Sequence, residues 1–164
     1  ASLLICAGAV LGRLRMFQYM IMGLLFIPCY MLNERIVLDS GFGLIAPGGC
    51  SVTGGSIIIH AFGAPFGLGV AMTMTTQKEF DTRFEPDAYS DRFSMLGSMV
   101  LWLLWPSFCG ALVSPADIPA TVSNVVIALC GSTIATYFAS VALRKKICIA
   151  DIANAALAGG VAIG

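Results

Sequence analysis

Charge is what this sequence has least of. Only 11% of its 164 residues are charged, nine basic against nine acidic, where an ordinary soluble domain carries about a quarter. The balance excludes the basic surface that nucleic acid requires, so no nucleic-acid partner is expected, and it gives no reason to expect an acidic substrate. Histidine is scarcer still: His60 stands alone, which leaves a haem or metal site short of ligands, and no cofactor is expected. The six cysteines, at 6, 29, 50, 109, 130 and 148, are scattered singly without a C-x-x-C pair. They read as small apolar residues of a membrane interior, with a Cys50–Cys109 bridge as the alternative. Serine elbows, histidine clusters and paired intramembrane carboxylates are also missing, so the chain does not read as an enzyme. The opening "ASLLICAGAVLG" lacks an initiator methionine and a basic n-region, and "ANAALAGGVAIG" stops inside an apolar run. The first does not read as a signal peptide, and both ends read as cut.

What the sequence does have is long apolar runs, with 58% hydrophobic residues. A spanning helix needs roughly 20 mainly apolar residues, because the bilayer core has no water to satisfy backbone groups. Four stretches qualify, about 16–38, 54–76, 93–113 and 119–143, flanked by partial spans at 1–12 and 147–164. The expected fold is all-α, a polytopic transmembrane helical bundle with lipid around it. Arg13 and Arg15, then Lys78, Arg83 and Arg92, then Arg144, Lys145 and Lys146 fall on one side of these spans, and Arg35 alone on the other. Short cytoplasmic loops retain positive charge, so 13–15, 77–92 and 144–146 are expected in the cytoplasm. His60 then lies about 10 Å into a helix that enters from outside.

Projected at the helical angle, the positions nearest His60 are Thr53, Ser56, Ile57, Gly63, Ala64, Gly67 and Ala71, most of them small. Ile58, Phe62, Pro65 and Phe66 lie opposite. Two readings of the small face stand open. Gly63-x-x-x-Gly67 is the small-xxx-small spacing that brings helices close. The same lack of side chains also opens a narrow lumen into which His60 projects, and an ionisable residue at this depth is a functional candidate. Desolvation disfavours imidazolium there, which suits a small polar molecule able to donate and accept hydrogen bonds better than a naked cation.

In "LWLLWPSFCGAL", Trp102, Trp105 and Phe108 recur every three residues, and Pro106 frees the carbonyl of Trp102. The tryptophans fit an interfacial belt; Phe108 fits that belt or a hydrophobic gate above His60. Glu34, beside Asn33 at the outer end of the first full span, is either a solvated helix end or an acid that concentrates cations at a vestibule.

Taken in order, "GGSIIIHAFGAPFGLG", "SDRFSMLGSMVLWLLWPSF" and "NAALAGGVAIG", with "GAVLG" and "NERI" upstream, resemble the ammonium transporter and Rh glycoprotein family, its Rh branch in particular. The resemblance covers nearly the whole chain. It implies an internal fragment, the third to eighth helices of an eleven-helix fold, from a homotrimer with one pore per protomer in the plasma membrane. It implies that His60 is one of a twin-histidine pair lining the pore and Phe108 an outer gate; Glu34 and Trp105 are the candidates for a recruiting vestibule. Ammonium would lose a proton and cross as ammonia, with methylammonium or carbon dioxide as further substrates. The sequence departs from the family where an aspartate is expected eight residues before the histidine, at Val52, with Asp39 the nearest substitute. It also departs at Pro65, Cys109 and Asp151, where Rh members tend to carry tyrosine, asparagine and histidine. Val52 keeps an alternative in view: a transport-impaired paralogue acting as an ammonium sensor or structural subunit.

Overall fold

The computed structural model describes residues 1–38, 42, 52–76 and 87–164. These form helices and turns, with no strand among the described residues. In chain order they are α1 (Ser2–Gly8), α2 (Met16–Val37), a π-helical turn (Ser56–Ala61) that runs into α3 (Phe62–Met74), α4 (Ala88–Gly110), α5 (Ile118–Arg144) and α6 (Ile149–Ile163). Four helical stretches, Met16–Val37, Ser56–Met74, Ala88–Gly110 and Ile118–Arg144, are long and apolar enough to cross a membrane. The chain is a polytopic bundle of transmembrane helices.

The element ends follow local chemistry that hydropathy does not register. Helix α4 starts at Ala88, five residues before the apolar stretch, because the Asp87 carboxylate accepts the Ser90 backbone N–H at 2.7 Å and caps the helix. Its charged first turn, with Asp91, favours the positive end of the helix dipole. At the start of α2, the Gln18 side chain reaches back to the Arg15 N–H at 2.7 Å, half of a capping box. Helix α5 carries Pro119 in its first turn and ends on Lys145 in the left-handed conformation, φ 60°.

One packed unit comprises α1, α2 and α3. Its core is Cys6, Val10, Met22, Phe26, Val70 and Ala71. Phe26 is the hub, with Phe62 edge-on at 5.5 Å, Phe66 edge-on at 5.1 Å and Tyr30 stacked at 5.7 Å. Each such pair adds about 0.5–1.5 kcal/mol beyond area burial, so these rings fasten α3 to α2. The opposite side of α3 meets α1. Gly63 lies against Ser2 and Ile5, and Gly67 against Cys6 and Ala9; a Cβ on Gly67 would sit 2.9 Å from the Cys6 carbonyl oxygen.

The second unit comprises α4, α5 and α6, around Trp105, Cys109, Val125, Leu129 and Ala156. Glycines on α6 set both of its contacts. Gly159 faces Ser132 and Ala128 of α5, and Gly160 faces the Trp105 ring of α4. The Ser132 hydroxyl donates to the Ala155 carbonyl at 2.8 Å, a bond available only because no side chain holds the two helices apart.

Candidate functional site

His60 lies in the π-helical turn rather than in a regular α-helix. The turn opens at Gly55 with φ 71°, a conformation that favours glycine. A side chain there would also meet Ile59, whose Cγ1 is 3.0 Å from an added Cβ. Wide turns of this kind are rare and concentrate at functional sites. Two side chains from other helices reach its backbone. The Ser2 hydroxyl of α1 donates to the Ile59 carbonyl at 2.7 Å, and the Asn33 amide of α2 donates to the Ile58 carbonyl at 3.3 Å. Both bonds are part-buried, and the peptides they hold lie immediately before His60. The histidine itself is half-buried, while Ile58 is buried at 6% exposure.

The wide turn alters the helical projection, because residues 56–61 do not advance at the α-helical angle. The two readings of the small face separate in space. Gly63 and Gly67 are buried against α1, where they permit close packing, whereas Ala64 is exposed and Ser56 half-buried. Ile58, Phe62 and Phe66, read as the bulky side, turn towards the protein: Ile58 is buried and the two rings pack on Phe26. A recess of about 470 Å³ lies beside the turn, lined by Asn33, Ile57, Ala61, Phe62, Pro65 and Phe66. Glu34 stands in the last turn of α2, half-buried, next to Asn33. Val52 is half-buried just ahead of the bend that leads into Gly55. Asp39, Cys50 and residues 77–86 of the second basic loop lie outside the described residues.

In the other unit Trp105 is not on an open surface. It is 6% exposed, with Gly160 against its indole, so its ring is the wedge of the α4–α6 contact. Phe108, one turn on, meets Trp105 edge-on at 6.4 Å and is 43% exposed. Asp151, where the resemblance led to histidine, closes the α5–α6 turn. Its carboxylate accepts from the Ser140 hydroxyl at 2.8 Å and from Arg144 Nε at 2.9 Å, and Ser140 accepts the Cys148 N–H at 3.1 Å. The acid stabilises the start of α6 and the arginine the end of α5.

Ser2 and Asn33 are the residues that sequence reasoning passed over. The one available signal was a polar side chain in an apolar run, which in a membrane bundle usually bonds across helices.

A histidine on an irregular membrane turn, and two seams of glycine and aromatic packing in the same order along the chain as the quoted motifs, call for a direct comparison. The sequence model of the Ammonium Transporter Family matches residues 1–164, the whole chain. This chain belongs to the ammonium transporter family. Among its relatives are the bovine (Bos taurus) "Ammonium transporter Rh type A", 40% identical over 168 residues, and the Xenopus laevis "Ammonium transporter Rh type B-B", 39% identical over 168 residues. The rabbit (Oryctolagus cuniculus) "Ammonium transporter Rh type B" is 38% identical. Each alignment takes in 99% of the chain. The chain spans only 38%, 35% and 35% of these relatives, respectively. The resemblance of this chain to the Rh branch thus rests on sequence along nearly the full chain, and these relatives are named as transporters.

Proposed function

We propose that the protein conducts ammonium as ammonia across the membrane, through a pore in each protomer to which this segment contributes His60 and Phe108. Membership of the ammonium transporter family carries the reading. The wide turn under His60 supports it, because an irregular backbone is tolerated at membrane depth only where it is buried in protein or lines a cavity. An ammonium ion entering a dry passage pays a desolvation penalty of about several kcal/mol or more. Leaving the proton on water outside the dry section removes that cost, and a neutral imidazole then donates from one nitrogen and accepts at the other as ammonia passes. Phe108 closes the path to water from outside, with Glu34 raising the local concentration of ammonium. Methylammonium and carbon dioxide are further candidate substrates, the assembly is a homotrimer in the plasma membrane, and the basic segments 13–15, 77–92 and 144–146 face the cytoplasm.

The test is flux of ammonia and methylammonium into proteoliposomes carrying the intact protein, compared with His60→Leu and Phe108→Ala. Both variants should change the flux; parental flux in the histidine variant would remove His60 from the path.

Val52 favours a second reading, a transport-impaired member that senses ammonium or serves as a structural subunit. An acid at this position, just ahead of the histidine turn, is what the family pattern leads one to expect. If this reading holds, Val52→Asp raises flux from a low parental level; a parent with robust flux and no gain in the variant would sink it.

A further inference from the structure

We infer that Ser2 and Asn33 are positioning residues for His60, and the inference rests on the proposed role of His60 in the pore. In a regular α-helix the backbone holds itself through its own ladder, and neighbouring helices need contribute only packing. The wide turn over Ser56–Ala61 keeps hydrogen bonds of its own, the Ile59 carbonyl also accepting the Phe62 N–H, but it is a rarer backbone form than the α-helix, so donors from outside bear more on its geometry. Here the two consecutive carbonyls that precede His60 are each met from a different helix. Ser2 of α1 donates to Ile59 at 2.7 Å, and Asn33 of α2 donates to Ile58 at 3.3 Å.

The two donors approach from separate elements, so together they restrain the translation and the rotation of the turn that carries the imidazole. Packing reinforces the same placement. Gly63 lets α1 come close enough for Ser2 to reach, with Ser2 carbonyl oxygen 2.9 Å from where its Cβ would be, and Phe62 beside Tyr30 at 5.9 Å holds α2 within reach of Asn33. Each acts through the main chain beneath His60, by its bond to a carbonyl of the turn.

The experiment uses the intact protein in proteoliposomes. It compares ammonia flux in Asn33→Leu and Ser2→Ala, each alone and combined with His60→Leu, and in the donor-preserving Asn33→Gln and Ser2→Thr. Flux should fall about 3- to 10-fold in Asn33→Leu and Ser2→Ala, the factor by which one neutral hydrogen bond biases an equilibrium. It should return towards the parental level in Asn33→Gln or Ser2→Thr, and it should show little further loss when the His60→Leu change is already present. Melting in detergent, measured in parallel, identifies variants that fail to fold, and for those the donor-preserving pair carries the comparison: flux must track the donor at matched stability. If His60→Leu alters flux but the leucine and alanine variants keep parental flux, or if their losses multiply in full with that of His60→Leu, the positioning role is overturned while the pore histidine stands. If His60→Leu itself leaves flux unchanged, both fall.

Discussion

Replacing Gly160 by alanine places a methyl group where the Trp105 indole lies. The added Cβ would be 2.5 Å from Cδ2 and 2.6 Å from Cζ2 of that ring. Carbon atoms prefer about 3.5–4.0 Å, so roughly 1 Å of separation must be found by α6 moving away or by the indole leaving its slot. Overpacking of this kind costs about 1–3 kcal/mol. Alanine also brings a helix-propensity gain of up to about 1 kcal/mol over glycine, which masks part of the cost. A control removes that ambiguity: Gly131, inside α5, has nothing within 4 Å of an added Cβ, so Gly131→Ala receives the propensity term alone. The difference between the two variants should therefore be about 1–3 kcal/mol, read as denaturant or thermal unfolding of the intact protein in detergent. Because Phe108 packs edge-on against Trp105, Gly160→Ala should also alter ammonia flux if Phe108 gates the pore. Equal unfolding curves for Gly160→Ala and Gly131→Ala would refute the wedge of Trp105 into α6.

The same logic applies to the first unit, where Gly67→Ala brings a Cβ within 2.9 Å of the Cys6 carbonyl oxygen and Gly69→Ala meets nothing within 4 Å. Gly67→Ala should lower stability by about 1–3 kcal/mol relative to Gly69→Ala in matched melts, and indistinguishable melts would mean that α1 does not lie on this face. Ser140 is 3% exposed and joins the Cys148 N–H to the Asp151 carboxylate. Ser140→Ala should cost about 1–2 kcal/mol, with hydrogen exchange at the start of α6 rising more than elsewhere; uniform exchange would argue against a local lock. Asp151→His, which installs the residue the Rh pattern favours, should loosen the same turn by removing the acceptor for Arg144 Nε, and unchanged exchange there would show that the ion pair contributes nothing.

Several features were legible along the chain because they depend on consecutive residues alone. The class of molecule is the clearest: whether a run can sit in lipid is decided by about 20 neighbours and their apolar character, and four helices here are long and apolar enough to cross a membrane. Helix ends were harder. The extra turns of α4 are charged, and Asp87 makes them helical by capping, not by hydrophobicity. His60 could be picked out as the one imidazole in an apolar run, but its neighbours could not be assigned. The projection assumed a uniform helical angle, and the turn at Ser56–Ala61 does not keep it.

The sequence by itself determined the class of molecule and the family, since apolar length and ordered motifs are properties of one dimension. Only the tertiary structure decided what each small or polar residue is for. Gly63 and Gly67 could be read as a lumen wall or as a packing seam until α1 was found lying against them. Trp105 read as an interfacial ring until Gly160 was found beneath it. Ser2 and Asn33 showed only as polar residues beside apolar ones, with no partner to be read, because a hydrogen bond between residues 57 or 25 positions apart is created by the approach of two helices and leaves no period in the sequence.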